Sequence, residues 1–329
     1  MQTENSKDIS LDKIYKKISS VVPEIEWKVH APFIEKINKL KKDKNAVILA
    51  HNYQTPEIYH GVADIAADSL ALAVEASKTS ADIIVVCGVH FMAETAKLMN
   101  PQKKVLIPDM QAGCSLASSI TGEDVRMLKE KYPGVPVVSY VNTSAEVKAE
   151  TDVCCTSANA VKVVESLGVE KVIFLPDHYL ANYVQKNTKV KIISWQGTCI
   201  VHEKFTAKEI EDIRKENTDI KIIAHPECPP DVISASDFAG STSGMSKYVK
   251  ENQPKKVLLV TECTMSDNVQ VENPNVKFIK PCNLCPHMKK ITLNKIYKCL
   301  KDETNEIKIG HNIATMARKS VERMAEIGR

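Results

Sequence analysis

AVILAHNY, residues 46–53, is a short β-branched run that ends in a group of polar side chains. The segments after it decide the fold. ADSLALAVEA (67–76) sets a serine ahead of an amphipathic stretch, IIVVCGV (83–89) and KVLIPDM (104–110) are two further strand-like runs, and Cys114 closes the pass. The series returns as VPVVSYVN (135–142), CTSANAVKVV (155–164), KVIFLPD (171–177), KIISW (191–195) and Cys199. It returns again as IKIIAHPE (220–227), GSTSGMSKYV (240–249), KVLLVTE (256–262), VKFIKP (276–281) and Cys285. The cysteine spacings are 199 − 114 = 85 and 285 − 199 = 86. Strand-like runs alternating with amphipathic segments mark a parallel α/β sheet, and a pattern that recurs at a fixed period marks a recurring structural unit.

The expected architecture is α/β: three homologous three-layer α/β/α domains arranged around a pseudo-three-fold axis with a central cavity. The repeats run over 45–119, 120–204 and 205–290. Residues 1–44 form an N-terminal helical extension, in which Phe33, Ile34, Ile37 and Leu40 keep helical spacing. Residues 291–329 form a C-terminal helical segment expected to pack back on the first repeat.

Bulk properties narrow the setting. The 329 residues are 43% hydrophobic and 26% charged, as in soluble globular proteins. A net charge of +3, from 44 basic and 41 acidic residues, argues against a dedicated nucleic-acid surface. MQTENSKDISLDKIYKK has no apolar core of the kind a signal peptide needs, and no apolar run approaches a membrane span. A cytoplasmic location is expected, with no membrane and no nucleic-acid partner.

The repeat also says where chemistry should gather. In open parallel sheets ligands sit beyond the carboxyl ends of the strands. The polar residues after each first strand are His51 and Tyr53, Tyr140 and Asn142, His225 and Glu227. The hydroxyls opening the next helix are Ser69, Ser157, and Ser241 with Thr242. Those positions suit N-caps, and helix N-termini offer N–H groups to an anion. Three such starts describe a site for a small polyanion, such as a dicarboxylate or a phosphate ester. Plainer readings stand beside this one: Tyr140 as a core aromatic, His51 and His225 as buried hydrogen-bonded histidines, Ser157 and Thr242 as caps without a ligand. His90, His178 and His202 read as structural or cavity-wall residues, His202 being set apart by lying three residues after Cys199.

Ten cysteines spread thinly along a reduced chain are buried thiols, catalytic thiolates or metal ligands. Thiolates at Cys114, Cys199 and Cys285 suit three corners of a cubane [4Fe–4S] cluster, leaving one iron open as a Lewis acid. Three protein ligands and a water also describe catalytic zinc, and three unconnected thiols are the third reading. Zinc sites more often include histidine, so an all-thiolate triad leans towards iron–sulfur. Cys282 and Cys285 form C-N-L-C, but only Cys285 keeps the repeat spacing, which leaves Cys282 a spare or outer thiol. Cys87, Cys154, Cys155, Cys228, Cys263 and Cys299 read as structural.

AHNYQ (50–54), ADSLALA (67–73), GVHFMAE (88–94), YVNTSAEVKA (140–149), CTSANA (155–160), AHPEC (224–228), GSTSGM (240–245) and CPHMKK (285–290) together resemble the quinolinate synthase family over roughly residues 46–295. The resemblance implies one [4Fe–4S] cluster held by the cysteines of GCS, TCI and LCP, here Cys114, Cys199 and Cys285. It implies condensation of iminoaspartate with dihydroxyacetone phosphate to quinolinate, with loss of phosphate and water, in de novo NAD biosynthesis. It also implies a functional link to L-aspartate oxidase. The family's substrate contacts fall on His51, Ser69, Tyr140, Val141, Asn142, Ser157, His225, Pro226, Glu227 and Thr242. Tyr53 and Glu227 are the candidates for proton transfer, with His51 or His225 assisting.

Other functions fit less of the sequence. An iron–sulfur hydro-lyase acting on a small hydroxy acid would use the same open iron without a phosphate-handling step. An iron–sulfur redox sensor has C-N-L-C in its favour but lacks an evident output module. A dinucleotide-binding oxidoreductase is disfavoured because no G-x-G-x-x-G follows the first strand.

Overall fold

Near-continuous apolar runs such as AVILAH and KVLLV fit strands covered on both faces, and that is where the fold puts them. The computed structural model describes residues 10–280 and 282–328, so residues 1–9 of the expected N-terminal helical extension lie outside the described residues. Three four-stranded parallel sheets follow one another along the chain. The first holds β1 (Ala46–His51), β2 (Ile65–Ala67), β3 (Ile83–Cys87) and β4 (Lys104–Leu106). The second holds β5 (Val137–Tyr140), β6 (Val153–Cys155), β7 (Lys171–Leu175) and β8 (Lys191–Ser194). The third holds β9 (Ile220–Ala224), β10 (Phe238–Ala239), β11 (Lys256–Val260) and β12 (Lys277–Ile279).

The spatial orders are β2-β1-β3-β4, β6-β5-β7-β8 and β10-β9-β11-β12, the same in all three. Each pass therefore contains one strand more than its sequence suggests. The additional strands are β2, β6 and β10, which span only three, three and two residues. A strand that short carries too few residues to express a period of two. Each forms the edge beside the first strand of its sheet, pairing His51 with Ala67, Tyr140 with Cys155, and Ala224 with Ala239. The edge strand delivers the chain to a helix start at the carboxyl end of the sheet.

The N-terminal segment forms helices Leu11–Ile18 and Glu24–Asp43. The second buries Trp27, Ile34 and Ile37 and lies against β1. At the other end of the chain, helix Leu293–Asp302 packs on Glu24–Asp43 and β3. Residues 305–307 then run beside the free edge of β4: Ile107 N–H donates to Asn305 and Ile307 N–H to Val105. This pairing covers an open edge, which otherwise offers unpaired backbone groups to another chain. Helix His311–Ile327 continues across to helix Ala145–Ala149 and β6, while also touching helix His90–Met99. Arg318 Nε donates to Leu98 C=O at 2.7 Å and Ser320 Oγ to Lys148 C=O at 2.9 Å. The C-terminal segment thus reaches both the first and the second sheet.

Candidate active site

The carboxyl ends of the three sheets contribute to one cavity, of about 710 Å³ with its mouth included. That size suits a small-molecule site. From the first pass it is lined by His51, Tyr53, Ser69 and Cys114, from the second by Tyr140, Asn142, Ser157 and Cys199, and from the third by His225, Glu227, Thr242 and Cys285. Val141 and Pro226 stand apart from these. Both are buried within the same two turns but do not line the cavity, and Val141 faces a smaller apolar space behind it. Contact with a ligand from either would have to come through the main chain.

The first-strand turns solve one problem twice. Tyr53 N–H donates back to His51 Nδ1 at 3.2 Å, and Glu227 N–H to His225 Nδ1 at 3.3 Å. An Nδ1 that accepts carries no proton, so both neutral rings hold theirs on Nε2. His225 Nε2 meets Ser157 Oγ at 3.2 Å. Burial pushes His51 down to about 4 and His225 to about 3, which keeps both neutral near pH 7.

Folding stability should then fall in mild acid. His51, and His60 outside the cavity, are held by burial at about 4 and about 3 against an ordinary 6.5. Between 6.5 and those values the unfolded chain takes up protons that the folded chain refuses. Stability is therefore full above the ordinary value and is lost as pH falls towards the folded one. Urea melts between about pH 7 and about pH 5 should lose up to about 1.4 kcal/mol per pH unit for each ring. A flat profile would mean that the folded protein accepts those protons.

At the helix starts the structure corrects one expectation. The N-caps of Ser69–Lys78 and Thr242–Asn252 are Asp68 and Ser241, and Ser69 and Thr242 follow them as first helical residues. Helix Ala160–Ser166 begins later, after Asn159, so Ser157 lies in the turn before it. Asp68 Oδ1 accepts from Ala71 N–H and Ser241 Oγ from Gly244 N–H, each satisfying one orphan donor. With capping done by their neighbours, Ser69 and Thr242 are turned to the cavity. The third pass reaches this geometry as the first does, Ala239-Gly240-Ser241-Thr242 standing where Ala66-Ala67-Asp68-Ser69 stand. Gly240 takes the place of Ala67, and a Cβ there would come within 2.7 Å of the Phe238 ring. Bonds between passes align the starts: Asn52 Nδ2 donates to Thr242 Oγ1 at 2.9 Å, and Ser243 Oγ donates to Asp68.

Glu227 is the charged centre. Tyr140 OH donates to its Oε1 at 2.5 Å, and His202 Nδ1 stands 2.9 Å from its Oε2. Burial opposes ionisation of Glu227, but His225, His202 and the Tyr140 hydroxyl outweigh it and hold the carboxyl well below its usual range. Tyr140 and Tyr53 are driven the other way, first by burial and then by the charge of Glu227. Both phenols therefore keep their protons at neutral pH. Tyr53 OH meets Thr261 Oγ1 at 2.6 Å, and Thr261 Oγ1 meets His202 Nε2 at 2.9 Å. Thr261 and this engagement of His202 were not legible in the sequence, because Thr261 reads as the end of an apolar strand.

The loops carrying the three thiols are anchored to one another. Ser115 Oγ donates to Thr198 C=O and accepts from Ile200 N–H, so the residue after Cys114 grips both neighbours of Cys199. Glu262, fully buried, accepts from Cys285 N–H at 3.4 Å and pairs with Lys289 at 3.1 Å. Lys289 Nζ also donates to Tyr53 C=O at 2.9 Å, tying the Cys285 turn to the end of the first sheet. Cys285 is free and lines the cavity, whereas Cys282 is bonded to Cys263. Burial raises all three cavity thiols, Cys114 to about 12, so they sit protonated at neutral pH. Among the described residues the only set whose ligand atoms crowd within 4.8 Å of one another is Cys199, His202 and Glu227. The three thiols are thus spread too widely to grip one ion as they stand. A four-iron cube takes its thiolates at separate corners and does not need them that close.

No helix among the described residues is long and apolar enough to cross a membrane. The family model described as quinolinate synthetase A protein matches residues 35–326. A quinolinate synthase of Xylella fastidiosa is 62% identical over 294 residues, covering 89% of this chain and 87% of that protein. One from Sinorhizobium fredii is 60% identical over 314 residues, covering 95% and 88%. One from Agrobacterium fabrum is 58% identical over 322 residues, covering 98% and 93%. A match across nearly the whole of both chains, on a fold whose cavity gathers the residues of all three passes, means that this chain belongs to the quinolinate synthetase A protein family and is an enzyme of the quinolinate synthase kind.

Proposed function

We propose that the chain condenses iminoaspartate with dihydroxyacetone phosphate and closes the pyridine ring of quinolinate, releasing phosphate and two waters. This is a step of de novo NAD biosynthesis, carried out in the cytoplasm with L-aspartate oxidase as the source of iminoaspartate. The observation that carries the reading is one cavity lined by free thiols at Cys114, Cys199 and Cys285 together with helix starts and buried acid–base groups. It goes with an arrangement of three homologous domains, 45–119, 120–204 and 205–290, around a pseudo-three-fold axis.

A [4Fe–4S] cluster on the three cysteines would supply a Lewis acid at the iron without a thiolate, where a substrate oxygen or nitrogen binds. The chain's own residues divide the remaining work. Ser69 and Thr242, with the N–H groups of their helix starts, receive carboxylate and phosphate oxygens. Ser157 and Asn142 add hydrogen bonds from the second pass. His51, neutral and protonated on Nε2, donates to a substrate oxygen without adding charge, and His225 does so where Ser157 leaves it free. Glu227, ionised, accepts the proton lost from carbon in the condensation and isomerisation steps. Tyr53, whose pKa burial raises, is better suited to donate to a departing hydroxide than to act as a base.

Anaerobic preparation with iron and sulfide analysis, followed by an assay with iminoaspartate and dihydroxyacetone phosphate, tests the reading through quinolinate formation. A fully loaded protein that makes no quinolinate would reject it. Tyr53→Phe is expected to lower turnover by about a hundredfold with cluster content unchanged. Unimpaired turnover would remove Tyr53 from proton transfer.

A further inference from the structure

Cys199-Ile200-Val201-His202 places a thiol and an imidazole three residues apart, and His202 opens a short 3-10 turn beside the cavity. His202 is 1% exposed. Its Nε2 is taken by Thr261 Oγ1 at 2.9 Å. Its Nδ1 faces Glu227 Oε2 at 2.9 Å but out of line for a hydrogen bond, and has no hydrogen-bond partner among the described residues. An imidazole nitrogen and a carboxylate oxygen this close, with no aligned hydrogen bond between them, can bite one cation once the nitrogen carries no proton. Cys199 Sγ completes the set, all three ligand atoms lying within 4.8 Å of one another.

The surroundings are those of a metal site. Thr261 Oγ1 can accept an Nε2 proton, and that tautomer leaves the Nδ1 lone pair free, as outer partners of metal-bound histidines do. Tyr140 OH occupies Glu227 Oε1 at 2.5 Å and leaves Oε2 available. Thiolate, imidazole and carboxylate are the three ligand types of zinc, and bonds of about 2.0–2.3 Å set tetrahedral ligands roughly 3.5 Å apart. The histidine and carboxylate atoms, 2.9 Å apart, would open by about 0.5 Å to take an ion. Cys199, only partly buried and with its sulfur within 4.8 Å of both, has at most about 1.3 Å to close.

We propose that Cys199, His202 and Glu227 form a mononuclear site for a zinc-class divalent ion, its fourth position open to the cavity. Cys199 belongs both to this site and to the cluster proposed above, so an ion bound here blocks cluster assembly. That last clause rests on the cluster reading; the site itself does not.

The probe is Co2+, added to the full chain after anaerobic reduction and removal of iron by chelation, then displaced by Zn2+. One equivalent should produce a thiolate-to-cobalt charge-transfer band and tetrahedral ligand-field bands. His202→Asn is expected to weaken binding about a hundredfold or more, while Cys114→Ala with Cys285→Ala leaves it intact. Thr261→Val keeps every ligand and should weaken binding by about 10–100-fold, so the site is tested even if His202→Asn folds poorly. Absence of the bands, their persistence in a folded His202→Asn protein, or their loss in the double cysteine variant would overturn the site. In a second arm, iron and sulfide are supplied to zinc-loaded and zinc-free protein. Assembly in the zinc-free chain alone supports competition, and assembly with zinc retained refutes it. A zinc-free chain that builds no cluster counts against the cluster reading, with the cobalt result standing by itself.

Discussion

Cys285→Ala is expected to lose nearly all cluster iron and to leave quinolinate formation at background, with Cys114→Ala and Cys199→Ala behaving alike. Burial holds the three thiols above their usual pKa, so each must be deprotonated at a cost when a cluster binds. With two thiolates a second iron of the proposed cluster would be left without a protein ligand. The fold should survive the loss, because the Cys285 turn is held by groups other than its sulfur. Glu262 binds its N–H, and Lys289, which returns an N–H to its carbonyl, spans to Tyr53. Iron and sulfide per chain, the visible absorbance and the thermal midpoint are the measurements. A full complement of iron in any one variant would break the three-cysteine assignment.

Glu227→Gln should separate chemistry from architecture. The side chain is 3% exposed and nearly isosteric with its replacement, and Tyr140 OH can still donate to the amide oxygen. What disappears is an ionised acceptor in a dry cavity. Loss of a positioned general base is worth about 10²–10⁴ in kcat, and a fall of that size is expected with KM changing far less and iron content unchanged. A kcat within a few-fold of the parent would move the base elsewhere. Glutamine also removes one anionic ligand from the proposed zinc-class site, so the same variant should bind Co2+ more weakly. Retention of full cobalt affinity would exclude Glu227 as a ligand without touching its role as a base.

How much of this was legible depended on whether a feature repeats. The strands β1, β3, β5, β7, β9 and β11 announce themselves as β-branched runs because both their faces are covered, and the 85- and 86-residue cysteine spacings announce the repeat. That register separates Cys285 from Cys282 without any coordinates. The edge strands β2, β6 and β10 are too short to carry a pattern. The division of labour at the helix starts was also hidden, since Asp68 and Ser69, or Ser241 and Thr242, are equally good caps on paper. Only the exit path of each edge strand settles that Asp68 and Ser241 take the cap.

By itself, then, the sequence determined the parallel α/β units, their number and the polar positions at the strand ends, because local periodicity and recurrence encode all three. The tertiary structure decided what depends on how the units sit against one another. Ser243 reaches Asp68 across 175 residues, and Asn52 reaches Thr242 across 190. His202 turns its free nitrogen to Glu227, and Thr261 links it to Tyr53. No window of sequence holds both members of such a pair. Their meeting is fixed by packing between the sheets, where side chains from distant turns fill one space, and the chemistry of this cavity is set there.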